Sequence, residues 1–85
     1  MKRLVIIYRS PKVPEMYLYV NATDQLEPVP PPLLARFGEP VEVMRLALAP
    51  DRKLARVETA TVLEALAEQG FFLQMPPSPE AWRDN

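Results

Sequence analysis

Residues Leu66 to Pro77 read Leu-Ala-Glu-Gln-Gly-Phe-Phe-Leu-Gln-Met-Pro-Pro, and this stretch decides the fold. An apolar helical repeat runs up to Gly70, an apolar strand Phe71–Met75 follows at once, and prolines stop it. Glycine ends a helix because it takes the left-handed conformation without a Cβ penalty. Consecutive prolines end a strand because they lack the N–H that a ladder requires. A helix delivered straight into a strand points to a mixed α/β domain. The stretch offers no nucleophile, metal ligand or phosphate loop.

Upstream, from about Thr59, the residues Val62, Leu63, Leu66 and Ala67 recur at i, i+3 and i+4, with Glu64 and Glu68 displaced from the stripe. This spacing predicts the second helix of the chain, started either by a Thr61–Glu64 capping box or by Glu58. Before it, Ala49–Lys53 reads as a turn, and Val41–Leu48 alternates, with Met44, Leu46 and Leu48 at one parity and Val43, Arg45 and Ala47 at the other. A third strand with one better-buried face is expected there. Val29–Gly38 reads as a first, short helix with proline at its entry and glycine at its exit. Because proline disfavours helical geometry in the residue before it, Pro30 and Pro31 are expected to be extended and the helix to open at Pro32, leaving about one and a half turns. Such a piece holds only if Leu33 or Leu34 and Phe37 pack onto the rest.

At the other end, Leu4–Arg9 is rich in β-branched residues and apolar at both parities, as a central strand covered on both faces should be. Ser10–Pro14 is a loop. Met16–Asn21 then places Met16, Leu18 and Val20 on one face and Tyr17 and Tyr19 on the other, pairing with the first strand as an antiparallel hairpin. The expected fold is a single small α/β domain of the α+β type, order β-β-α-β-α-β, with a four-stranded, mainly antiparallel sheet and two helices. It occupies residues 1–79, with a C-terminal tail at 80–85. The expected body is two-layered, with Leu4–Tyr8 as its innermost ribbon, shielded above and below.

Composition narrows the chemistry. The 85 residues are 48% apolar and 25% charged, the balance of one ordinary globular domain. Ten basic against eleven acidic side chains leave no net field to draw the chain to nucleic acid or an anionic membrane, so any basic site must be a local patch. There is no cysteine and no histidine, which excludes disulfides, thiol nucleophiles, Cys/His zinc sites and imidazole-based triads. The apolar run Leu4–Ile7 is too short for a signal-peptide core, and no stretch reaches membrane-spanning length. The expected location is cytoplasmic, without membrane association, and no metal, cofactor or catalytic residue is implied.

The element order, taken with Ile7-Tyr8-Arg9-Ser10, Tyr17-Leu18-Tyr19-Val20, Val29-Pro30 with Phe37-Gly38, Lys53-Leu54 and Gln69-Gly70-Phe71-Phe72-Leu73-Gln74-Met75-Pro76-Pro77, resembles the YcgL domain family, small bacterial proteins of uncharacterised function. The resemblance spans roughly residues 5 to 79. It implies one α/β domain with a four-stranded sheet and helices packed on it, and it carries over no activity, cofactor or catalytic residue. Where the family usually has polar or acidic residues after the helix-opening proline, this chain has Pro31 and Pro32, which bears on the length of the first helix.

Tyr8, Arg9, Lys12, Tyr17 and Tyr19 form an aromatic and basic set on one hairpin, with Lys53 and Arg56 as further cations. Aromatic faces beside guanidinium groups stack on bases, grip phosphates and anchor protein interfaces. The alternative is that the tyrosines are packing residues with a wet hydroxyl and the arginines a solvated edge. The carboxylate pairs Glu39/Glu42 and Glu64/Glu68 read as surface charge, and Ser10 has no imidazole or lysine at a motif spacing. The proline-rich tail reads either as a ligand for an aromatic groove or as a strand stop that folds Trp82 over apolar surface. The leading expectation is a non-enzymatic protein-binding module acting through an exposed strand edge or the tyrosine–arginine hairpin. Next comes a nucleic-acid-binding domain that uses the basic and tyrosine patch. An enzyme built without Cys/His chemistry is third.

Overall fold

The computed structural model describes residues 3–52, 54 and 58–76. Its elements are β1 (Arg3–Arg9), β2 (Tyr17–Asn21), α1 (Pro31–Phe37), β3 (Val41–Leu48), α2 (Thr59–Glu68) and β4 (Phe71–Gln74). The four strands form one sheet in the order β3-β1-β2-β4, and every pairing is antiparallel. β1 is central, as its apolar residues at both parities require: Val5 and Ile6 are fully buried although they point to opposite faces.

The two helices cover opposite faces, so the body has three layers rather than the expected two. Val5, Ile7 and Tyr19 pack with Val62 and Leu66 of α2 on one side. Ile6, Leu18 and Val20 pack with Phe37 of α1 and with Val29 on the other. β1 is thereby screened above and below, and Met16, Leu18 and Val20 lie opposite Tyr17 and Tyr19 as the alternation predicts.

Local sequence explains most element boundaries, and the expectations for four elements need correction. α1 opens at Pro31, one residue earlier than predicted, with Pro30 extended at the N-cap. Prolines at the first two helical positions remove only N–H groups that have no intrahelical acceptor, and their fixed φ already suits a helix. The Pro30 carbonyl accepts from both Leu33 N–H and Leu34 N–H, at 3.0 and 3.2 Å. In α2 the buried stripe is Thr59, Val62 and Leu66, while Ala67 is exposed. Thr59 is buried because its hydroxyl donates to the Arg52 carbonyl, and Glu58 caps the helix without a side-chain bond, so no Thr61–Glu64 box forms. The better-buried face of β3 is confined to Leu46 and Leu48, and Met44 is 49% exposed because β3 lies at the sheet margin. β4 stops at Gln74, one residue short of the predicted Met75.

Candidate interaction surfaces

The hairpin side chains do not converge. Alternation along β1 and β2 sends Tyr8 to the α1 face, whereas Arg9, Tyr17 and Tyr19 project to the α2 face, with Arg9 directly opposite Tyr17. Tyr19 is a core residue. It is buried, stands edge-on to Phe72 with centroids 5.8 Å apart, and its hydroxyl donates to Gln74 Oε1 at 2.8 Å. Tyr17 is half-buried against the same cluster, and Arg9 is exposed at the strand end. Lys53, Arg56 and Trp82 lie outside the described residues.

Lys12 and Ser10 have a different occupation, tying the β1–β2 loop to the end of α1. Ser10 is buried; its hydroxyl donates to the Phe37 carbonyl at 2.6 Å and accepts from Val13 N–H and Lys12 N–H at 2.9 and 3.1 Å. A hydroxyl committed in this way is a structural tie, not a free nucleophile. The Lys12 ammonium donates to the Ala35 carbonyl at 3.2 Å, and its stem passes so close to Gly38 that a Cβ there would stand 3.0 Å from Lys12 Cγ. Gly38 also has φ +86°, so the clasp depends on glycine twice over.

The outer margin of β3 was not singled out by the sequence. Opposite β1 the register slips between Ile7 and Tyr8: Ile7 faces Met44, Tyr8 faces Glu42, and Val43 is the extra residue of a β-bulge. The bulge has a chemical result. In a regular strand, residues three apart point to opposite faces; here Glu42 and Arg45 oppose Tyr8 and Ile6, which share one face. They form an ion pair, Arg45 Nε to Glu42 Oε2 at 2.8 Å. The hydrogen bond from Arg45 holds the Glu42 carboxyl below the usual carboxylate range; desolvation opposes it, and the Arg45 charge adds a smaller lowering effect. The same hydrogen bond and the Glu42 charge raise the Arg45 guanidinium. Around this pair, Val41, Val43 and Met44 are exposed, together with Leu4 on β1 at 56%.

A second surface lies on the α1 face beside the opposite margin. Val13 and Met16 from the hairpin, Leu33, Arg36 and Phe37 from α1, and Leu73 and Met75 from the end of β4 line a groove of about 380 Å³. Arg36 is the charged member of this lining among the described residues. Glu39, Glu64 and Glu68 are exposed, and the described residues contain no group of three His, Cys, Asp or Glu side chains placed to hold a metal.

These features define a small α/β domain with a central sheet, one helix on each face, and two surfaces of apolar character at opposite margins. The sequence profile of the YcgL domain matches residues 5–77, and the chain belongs to this family. A YcgL domain-containing protein of Pseudomonas savastanoi pv. phaseolicola is 54% identical over 80 residues, covering 94% of this chain and 82% of the relative. One from Pseudomonas entomophila is 57% identical over 77 residues, 91% of this chain and 79% of the relative. One from Pseudomonas aeruginosa is 50% identical over 82 residues, 96% and 84% respectively. Among the described residues, no helix is long and apolar enough to cross a membrane.

Proposed function

We propose that this protein is a non-enzymatic interaction module that binds a partner protein by adding an extended segment of it to the outer edge of β3, which pairs with no other strand among the described residues. One observation carries the reading: Val41, Val43 and Met44 are all exposed in the first half of an eight-residue margin strand, and Leu4, opposite Ala47 on the neighbouring strand, is exposed as well. Val41 and Met44 oppose Arg9 and Ile7 and so belong to the α2 face, whereas Leu4 belongs to the other, so the apolar surface wraps around the edge instead of lying on one face. A strand added at the margin touches both faces and also satisfies the free backbone groups; a partner lying flat on either face reaches only half of this surface. Exposed apolar surface rimmed by charge is the usual mark of a contact site. The hairpin supports the reading less, because Tyr19 is committed to the core and Tyr8 points away from Tyr17.

The test is affinity capture from cell extract with the tagged wild-type chain, a Val43→Lys/Met44→Lys variant, and the Arg9→Ala and Tyr17→Ala variants. A partner held by the wild type, Arg9→Ala and Tyr17→Ala proteins, released by the double lysine variant, and protecting β3 amides from exchange supports edge addition. Retention by the double lysine variant, or no reproducible partner, refutes it.

A further inference from the structure

The groove at the opposite margin is independent of β3, and its chemistry specifies an occupant. Six of its seven described lining residues, Val13, Met16, Leu33, Phe37, Leu73 and Met75, are apolar, and its volume of about 380 Å³ is comparable with small-molecule sites. Arg36 adds one guanidinium, which has no ion-pair or hydrogen-bond partner among the described residues. Among the described residues, no acidic side chain lines the groove. Next to Arg36 along α1, Lys12 places a second cation on the Ala35 carbonyl. A cation in the last turn of a helix complements the carbonyl dipole, which accounts for the charge at that position. It does not account for an apolar trough beside it, walled by three separate segments of the chain.

We propose that this groove binds an amphiphilic monocarboxylate, an aliphatic or aryl body seated on Leu33, Leu73 and Met75 with its carboxylate on Arg36. The apolar body leaves water for a concave surface, which supplies the driving force. The planar guanidinium meets the carboxylate through paired N–H···O bonds, which sets the orientation and discriminates against neutral and cationic analogues.

Decanoate, decylamine and decanol are titrated into the full chain while backbone amide shifts are followed. Saturable shifts with decanoate confined to Leu33, Arg36, Phe37, Leu73 and Met75 are expected, with decanol weaker and decylamine weakest. Arg36→Gln should weaken decanoate about fivefold and leave decanol unchanged. Leu73→Glu, which places a carboxylate in the groove, should abolish decanoate binding, and Val43→Lys should leave it intact. Equal affinity for decylamine, insensitivity to Arg36→Gln, or no saturable binding overturns the proposal. So does binding that appears only in a chain ending at Pro76, because the natural occupant is then the protein's own C-terminal segment.

Discussion

Single residues in this domain often satisfy two demands at once, and Gly70 shows how sharply. It follows α2 with φ +88°, where its N–H bonds the Ala65 carbonyl at 3.2 Å and the chain turns directly into β4. It also faces Pro28 so closely that a Cβ would stand 2.9 Å from both Pro28 Cβ and Cγ. A side chain is therefore penalised by backbone strain and by collision with a ring that has no flexible end to move aside. Gly70→Ala is expected to cost about 2–3 kcal/mol, a large part of the net stability of so small a domain, and urea unfolding measures it directly. A shift in midpoint no larger than that of an exposed substitution would show that the loop carrying Pro28 gives way. Asn21 has a comparable double role: its amide donates to the Leu66 carbonyl at 3.3 Å and its oxygen accepts from Arg3 at 3.2 Å, linking β2, α2 and β1. Sequence inspection finds glycine at the helix stop, but the proximity of Pro28 depends on a loop forty residues away.

Among the elements, α1 is the least self-sufficient. Seven residues with two prolines and no side-chain cap cannot persist alone, so its order derives from Phe37, fully buried among Ile6, Leu18 and Val20, and from the Ser10 and Lys12 bonds to its last carbonyls. Phe37→Ala should cost about 3–5 kcal/mol and should release the Gly38 N–H bond to Leu34, now 2.9 Å long, into fast exchange before the β1 amides. Uniform exchange of α1 and β1 would show instead that the helix and sheet open as one unit. Periodicity made the six elements legible, because a period of 2 in β2 and of 3 to 4 in α2 survives without neighbours. The triple proline misled by one residue, since the rule for the residue before proline competes with the tolerance of the first helical turn. β3 was legible as a strand but not as a margin: Met44, Leu46 and Leu48 show the same alternation wherever a strand lies, and strand order is set by pairings distant in sequence. The candidate surfaces were hidden for the same reason. Tyr8 and Tyr19 looked alike until the sheet faces separated them, and Arg36 joins Leu73 only through tertiary packing.

For the whole molecule, the two margins of the sheet are finished differently, and the difference bears on how each resists pairing. β4 has four residues and is followed closely by the buried Pro76, which has no N–H to offer, so little ladder remains open there. β3 has eight residues, and its protection is the Val43 bulge with the Glu42–Arg45 pair beside it. A bulge interrupts the even spacing that a second copy's edge must match, and charges on a margin discourage indiscriminate pairing, which reserves this edge for a partner segment that accommodates both. Deleting Val43 should restore a regular ladder, with Glu42 still opposite Tyr8 and Met44 still opposite Ile7, so the fold and the ion pair survive while the obstruction disappears. The deletion variant is expected to unfold within about 1 kcal/mol of the wild type, because the bulge residue is exposed and its loss opens no cavity. In sedimentation velocity it should show concentration-dependent self-association that the wild type lacks, and Met44→Lys in the same background should reverse it. A deletion variant that sediments as the wild type does over the same range would assign protection of the margin to the charges alone, and Glu42→Ala/Arg45→Ala would then be the substitution that releases it.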